Sequence, residues 1–380
     1  MEPAAREIEN RLREKRQARA LSQKQLADLA GITRQAVSAL ESNLYSPATS
    51  VALQLARALR CRVEDLFSLK QGGDIIEGEL LSVIPQGDGP VRAQVTQIAG
   101  RILVRPLHGL GELASLSAAA DGLIIESNPA ISRVKVRLLR DREALHRKIV
   151  VGGCDPAMFL ASEYVRKHEP DNLVPCLMGS SFALAALKRG EIHVAGVHLA
   201  DENSETWNLL DLKQSLGDMD CIVVTFAHWE EGFIVRRGNP KKIRTVNDIA
   251  KPTVRIVNRE KGSGARRLLD KHLTAARINS NRVKGYGDEV FSHLDVASRI
   301  KAGLADTGIG VLAAASIAGL DFVPVQRERY DLVIPSDYYE TLHGLKILLD
   351  TIVSRPFRDE LDALGGYDTR EIGKVVEMPR

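Results

Sequence analysis

Apolar positions change their spacing twice along this chain. In the first seventy residues they recur three and four apart, at Ile8 and Leu12, at Val37 and Leu40, and at Val51, Leu55 and Leu59. That spacing puts each set on one helical face. The opening helix is expected to run to about Leu21. Ser22, with Gln25 three residues on, has capping-box spacing and predicts a helix over 23–30, which Gly31 ends. Thr33 is an N-cap for a third helix, "RQAVSALES", and "VEDLF" is expected to form a short fifth. Two short helices joined by a glycine turn make a helix-turn-helix.

From 71 to 146 the runs become short and alternating, as in "VRAQVTQIAG", "RILVRPL", "DGLIIES" and "RVKVRLL", with Gly, Pro and Asn between them. This predicts a small β-rich connecting unit. "KQGGDIIEGEL" reads as a hinge, "LLRDREALHRKI" as helical or linker-like, and His108 as a lone histidine among glycines.

After Lys148 an apolar run, a glycine turn and an amphipathic helix succeed one another repeatedly, in "KIVVGGCDPAMFLASEYVRKH" and then in "LVPCLMGSSFALAALKRGEIHVAGVHLAD". Such alternation predicts a parallel sheet with helices on both faces. "CIVVTFAHWEEGFIVRRGNP" reads as two strands crossing to a second lobe. There "TVRIVN" and "VKGYG" are expected strands and "GSGARRLLDKHL" a helix. The chain is therefore expected to be multidomain: an all-α five-helix domain over 1–70, a β-rich connection over 71–146 and an α/β two-lobed domain over 147–380.

The pattern "LSQKQLADLAGITRQAVSALESNLYSPATSVALQLARAL" resembles the Cro and phage-repressor (XRE) type of DNA-binding domain over residues 5–69. The resemblance implies that the third helix enters the major groove. Arg34, Gln35 and Ser38 would then read base edges, while Gln23, Thr33, Asn43 and Tyr45 would touch phosphate or sugar. One such domain covers little DNA, so a homodimer or higher homo-oligomer on operator DNA is expected. Residues 147–376 resemble the type II periplasmic-binding-protein fold. The likeness is to the molybdate-binding-like domain of bacterial regulators, on "GCDPA", "LKRGEIHVAGVHL", "EGFIVRRGNP", "VRIVNREKGSGARRLLD", "ADTGIG" and "ERYDLVIP". That resemblance implies a small ligand held between two lobes.

Charge sharpens the first reading. Residues 1–70 hold twelve Lys/Arg against eight Asp/Glu, so 12 − 8 = +4 of charge sits in the helical domain, while the whole chain carries +3. At 44% apolar and 27% charged the composition is that of a globular protein, and no apolar run approaches the roughly eighteen residues of a membrane span. The charged N-terminus has no signal-peptide core, so a cytoplasmic protein without a membrane partner is expected. Cys61, Cys154, Cys176 and Cys221 stand too far apart for a zinc motif and read as core residues.

The stretch "NREKGSGARRLLD" decides the expected chemistry. It lacks the Lys-Ser/Thr pair of a phosphate-binding P-loop, the third glycine of a dinucleotide fingerprint and the GxSxG of an esterase elbow. What remains is a turn, Gly262, Ser263 and Gly264, that aims N–H groups and a hydroxyl from a helix N-terminus at an anion. Ser180 and Ser181 repeat the device. Arg259 or Arg266 would favour a carboxylate or phosphate, with Arg267 solvated. Asp155, His198, Thr225, Trp229, Asn258, Asp306 and Thr307 are further cleft candidates, as are Asp201, His228 and Glu231, with Tyr330 and Asp331 at a hinge. Scattered His and acid without ligand spacing point to hydrogen bonding, so neither metal nor cofactor is expected. The expected function is a one-component transcription regulator, not an enzyme, sensing molybdate, tungstate or another oxyanion. A small organic carboxylate or phosphate is the alternative effector. An enzyme with self-regulatory DNA binding, or an architectural protein whose lobes only oligomerise, are the alternatives of other classes.

Overall fold

Helix caps and strand ends shape the N-terminal part more than helix propensity does. The computed structural model describes residues 8–19, 21–42, 44–69, 74–84, 89–107, 118–168, 173–199 and 207–376. The chain forms two compact units, Met1–Asp74 and Ile75–Arg380. In the first, β1 (Ile8–Asn10) pairs antiparallel with β2 (Phe67–Leu69). Between them lie α1 (Leu12–Ala18), α2 (Gln23–Ala30), α3 (Arg34–Glu41) and α4 (Thr49–Ala58).

Two expectations are corrected here. The opening helix starts at Leu12, because the Asn10 side chain accepts the Leu12 N–H at 2.9 Å and the residues before it are taken into the strand pair. The expected fifth helix is a single 3-10 turn, Val63–Asp65, since the next residues pair back to β1. Leu12, Leu26, Val37, Leu40, Leu55, Leu59 and Leu66 form the core.

In the second unit β3 (Ile75–Leu80), β4 (Val91–Ile98), β5 (Arg101–Pro106), β6 (Gly122–Asn128) and β7 (Arg133–Leu138) close a barrel in the order β3-β5-β4-β6-β7. Period-two alternation turns Ala93, Val95, Val134, Val136 and Leu138 inward. Asp121 ties the barrel to the rest of the unit: it accepts the Val95 N–H at 2.8 Å and pairs with the buried Lys148 ammonium.

The remaining chain builds one mixed sheet, β14-β11-β15-β10-β8-β9. Its strands are β8 (Ile149–Gly153), β9 (Leu173–Leu177), β10 (Val194–Val197), β11 (Cys221–Val235), β14 (Thr307–Val311) and β15 (Asp321–Pro335), while β12 (Asn258–Arg259) and β13 (Glu289–Val290) pair separately. The helices are α5 (Ala157–His168), α6 (Ser180–Lys188), α7 (Leu209–Leu216), α8 (Val246–Ile249), α9 (Gly264–Ala275), α10 (His293–Lys301), α11 (Leu312–Ala318), α12 (Ser336–Thr341), α13 (His343–Val353) and α14 (Arg355–Leu364). Along that order only β8–β9 and β8–β10 are parallel. The sheet is not all-parallel as expected, because β11 and β15 run antiparallel to each other for their full length.

That ribbon positions the site. One end of it carries β10, paired to β15 at Asp331–Val333, and the other carries β14, paired to β11 at Glu231–Val235. Each half thus holds one lobe, and the middle of the ribbon joins them. "VKGYG" is a turn and not a strand, with Gly285 at φ +86°. Among the described residues no helix is long and apolar enough to cross a membrane.

Candidate functional site

Two regions concentrate the candidate functional side chains, one in each compact unit. In the N-terminal unit the cap chemistry forms as the spacing predicts. Gln25 N–H donates to Ser22 Oγ at 3.2 Å and Ser22 N–H to Gln25 Oε1 at 2.8 Å, and Gly31 closes α2 at φ +66°. Thr33 Oγ1 accepts the Ala36 N–H at 3.1 Å and starts α3. Arg34 and Gln35 on its first turn are exposed and Ser38 is half-buried, while Val37 and Leu40 hold the opposite face in the core.

Gln23 departs from the expectation. Its amide donates to Glu41 at 3.0 Å, and Glu41 also receives Arg16 at 2.6 Å. Burial would raise the Glu41 carboxyl, but the hydrogen bonds from Arg16 and Gln23 hold it below the ordinary range. Gln23 is therefore committed to this buried cluster. Tyr45 is half exposed, and Asn43, with His108 and Asp201, lies outside the described residues.

The second region lies across the middle of the β11–β15 ribbon. The two serine–glycine turns are brought together, but against each other. Ser181 N–H donates to the Gly262 carbonyl at 3.2 Å, with Gly262 at φ +92°. Any side chain at Gly264 would sit 2.4 Å from His198 Cε1. Both buried serine hydroxyls are spent on the backbone. Ser180 Oγ donates to the His198 carbonyl at 2.9 Å and accepts the His198 N–H at 3.1 Å. Ser263 Oγ donates to the Glu260 carbonyl at 2.9 Å and caps α9 through Arg266 N–H at 3.3 Å.

Other expected ligand contacts are relocated. Arg266 points away, to Asp270, Glu289 and the Tyr286 ring, which its guanidinium covers at 4.1 Å. Arg267 is not simply solvated but reaches Asp211 of the first lobe at 3.0 Å. Asn258 donates its side-chain amide to the Tyr286 carbonyl at 3.1 Å, on the turn that precedes β13. Thr307 opens β14 and bonds the Ile234 carbonyl, and Asp306 caps the Arg255 N–H. Thr307 stands four residues from the other end of β14 at Val311, roughly 13 Å along the strand, and Asp306 one residue further. Thr225 is buried opposite Asp331 across the ribbon, and His228 turns to Glu371 at 2.8 Å.

What the fold does assemble is a buried polar cluster. Cys154 comes directly after β8 and His198 directly after β10, Glu231 and Glu328 face each other's strands mid-ribbon, Arg259 ends β12 and His293 begins α10. All of the last five are buried, and Cys154 with them. Cys154 Sγ lies 3.2 Å from His198 Nε2, and His198 Nδ1 lies 2.7 Å from Glu328 Oε2. Glu231 Oε2 is 3.7 Å from His198 Nδ1, and its Oε1 is 4.0 Å from His293 Nε2. Trp229 and Tyr330 wall the cluster, with Trp229 packed edge-on against His198 at 5.1 Å.

Its electrostatics are strongly perturbed. Burial alone would lower the His198 basicity, but the Cys154 sulfur, Glu231 and Glu328 raise it well above that of ordinary imidazole. Burial and the nearby Glu328 raise Glu231. Burial, Arg259 and His198 keep His293 neutral. Asp155, which accepts Tyr367 at 2.7 Å, is pushed up to about 6 by burial. Arg259 grips Glu260 with two N–H groups, at 2.8 and 3.0 Å. Several buried atoms form no hydrogen bond: Arg259 Nη1, both Glu231 oxygens, both His293 ring nitrogens and Trp229 Nε1. Sequence reasoning named His198, Glu231, Arg259 and Trp229, but gave Cys154 to the core, assigned no role to His293 and did not name Glu328.

Comparison with known proteins places the two regions. A model described as PBP superfamily domain matches residues 161–352, and one described as helix-turn-helix matches residues 12–66. The uncharacterised protein YvgK of Bacillus subtilis is 32% identical over 252 residues, covering 66% of this chain and 80% of that one. An uncharacterised HTH-type transcriptional regulator of Methanothermobacter thermautotrophicus is 44% identical over 63 residues, 16% of this chain and 91% of its own. Among solved structures, a phosphate transporter substrate-binding protein of Clostridium perfringens, with bound phosphate, overlays with a TM-score of 0.44 at 15% identity, covering 60% of this chain and 100% of that one.

Proposed function

Because the chain belongs to the PBP superfamily and carries an XRE-type helix-turn-helix domain at its N-terminus, we propose that it is a one-component transcription regulator that closes on a small polar ligand. The observation that carries the ligand half is the set of buried, unpartnered polar atoms at the ribbon's middle. Leaving such a group unsatisfied costs about 1–3 kcal/mol, so several in one place mark a surface shaped for a polar partner. The DNA half rests on the exposed Arg34 and Gln35 at the start of α3, with the basic charge of the same domain. Operator DNA is its expected partner, bound by a homodimer or larger homo-oligomer.

The cleft chemistry narrows the ligand. A tetrahedral oxyanion such as molybdate or tungstate asks for a ring of neutral donors. Here the Ser180 and Ser263 hydroxyls and the Ser181 N–H are engaged, and two acidic side chains, Glu231 and Glu328, stand within 4 Å of His198. The arrangement favours a ligand that presents positive charge or a metal to the acids, over a bare organic carboxylate or phosphate. The test is a thermal-unfolding screen of the full chain, then binding to the promoter fragment upstream of its own gene. A compound that raises the midpoint saturably should also change affinity for that fragment. A stabilising compound that leaves DNA affinity untouched overturns the regulator reading.

A second reading, an enzyme, draws on one observation: the order Cys154, His198, Glu328 is that of nucleophile, base and orienting acid. Loss of turnover in Cys154→Ser, for a thioester or activated acyl substrate, would support it. A chain with no turnover on such substrates would remove it.

A further inference from the structure

Cys154 and His198 stand in the first lobe, and His293 stands in the second. Their ligand atoms lie within 4.8 Å of one another, all buried. We propose that these three residues bind a divalent transition-metal ion of the zinc or cobalt class across the two lobes. The inference rests on the regulator reading only for its consequence, that the ion would be what the lobes close on.

Four observations carry it. The 3.2 Å between Cys154 Sγ and His198 Nε2 is close to the edge of a tetrahedral centre, roughly 3.5 Å for metal–sulfur and metal–nitrogen bonds of about 2.3 and 2.0 Å. His198 turns its other nitrogen to Glu328 at 2.7 Å, the carboxylate–histidine pairing that fixes the tautomer and orientation of a metal-bound imidazole. His293 is fully buried with neither ring nitrogen hydrogen-bonded, a state that a coordinate bond resolves and simple packing does not. Glu231, also without a hydrogen bond, places a carboxyl oxygen 4.0 Å from His293 Nε2.

Arg259 is matched by its two-point grip on Glu260, so a Cys154 thiolate, with the acidic side chains of Glu231 and Glu328 beside it, supplies the negative charge that favours a divalent cation. One thiolate with two imidazoles selects later, softer metals over magnesium or calcium. Binding displaces to solvent the thiol proton of Cys154 and the proton that His198 holds on Nε2, as the sulfur–metal and nitrogen–metal bonds form. The third histidine in the region, His228, is turned to Glu371 and takes no part.

The experiment uses the full chain, stripped with chelator and titrated with Co²⁺ alone. One equivalent per chain is expected, with the near-ultraviolet absorption of thiolate-to-cobalt charge transfer. Cys61→Ser, altering the thiol of the other unit, should keep that band, Cys154→Ser should lose it, and His293→Gln should weaken binding by at least about tenfold. Should Cys154→Ser fail to fold, Glu328→Gln keeps all three ligands and should weaken Co²⁺ binding by about 10–100-fold. Absence of the band, or a band that survives Cys154→Ser, overturns the site. Co²⁺ binding that depends on Cys154 but leaves promoter affinity unchanged keeps the site and removes the regulator reading. Promoter control by another compound in a chain that binds no Co²⁺ does the reverse.

Discussion

Ser181 donates its backbone N–H to the carbonyl of Gly262 at 3.2 Å, which latches the first turn of α6 in one lobe to the glycine turn before α9 in the other. The latch closes only because the neighbouring glycines leave room. At Gly264 a methyl group would lie 2.4 Å from the His198 ring and 2.5 Å from its carbonyl oxygen.

Gly264→Ala is therefore a clean probe of closure. Gly264 opens a helix, where alanine is otherwise favoured over glycine by about 1 kcal/mol. The overlap across the cleft should outweigh that gain, with a net loss of about 1–3 kcal/mol for the closed arrangement. Small-angle scattering should show a larger radius of gyration. An unchanged radius and midpoint would mean that the lobes do not depend on this contact.

In the N-terminal unit, Glu41→Ala leaves the nearly buried Arg16 and the Gln23 amide without their acceptor. Leaving one member of such a partly buried charged pair without its partner costs about 1–3 kcal/mol. Both tryptophans, Trp207 and Trp229, lie in the other unit, so their fluorescence reports that unit alone. Urea titration should show an early loss of helical dichroism while the tryptophan transition stays in place. A joint shift of both signals would count against the assignment.

Base reading by α3 makes a selective prediction. Arg34→Ala and Gln35→Ala should each weaken the matched operator by about 1–3 kcal/mol and leave random-sequence DNA nearly unaffected. Equal loss on both DNAs in a binding titration would reassign these side chains to the phosphates. Thr33→Ala should instead cost about 1 kcal/mol of stability through the lost cap.

His193 supplies a pH dependence away from the cleft. Its Nδ1 accepts the Val150 N–H at 3.0 Å, so a second proton would have to enter that bond, and burial pushes its basicity down to about 4. Between the ordinary imidazole value of 6.5 and about 4, the unfolded chain binds the proton and the folded one does not. Stability from this group is thus present above 6.5 and lost as pH falls, by up to roughly 3 kcal/mol. His193→Asn, which keeps an acceptor but cannot titrate, should flatten the fall in melting temperature over that range. A slope identical to the parent's would rule the contribution out.

Read by itself, the chain disclosed what local physics controls. Ser22 with Gln25, Gly31 and Thr33 sit within a turn of the helix ends they set, so α2 and α3 came from spacing alone, and with them the helix-turn-helix. The alternating runs after Ile75 announced strands, but their closure into a barrel is a matter of pairing between distant segments. Arg266 shows the limit within one motif. Its place beside two glycines suggested an anion, yet Asp270, one turn on, and Tyr286 across the lobe hold it elsewhere. The cleft cluster lay further out of reach. Cys154 and His198 are 44 residues apart, and His198 and Glu328 are 130 apart. No periodicity links such positions. They meet because β11 and β15 pair along fifteen residues each, which sets Glu231 and Glu328 mid-ribbon while the ends of β8, β10 and α10 converge on them. Helix caps and amphipathic faces are decided by neighbours three or four residues away, and are written in the sequence. Which buried thiol, imidazole and carboxylate share one space is decided by strand register between lobes, and only the tertiary structure carries that.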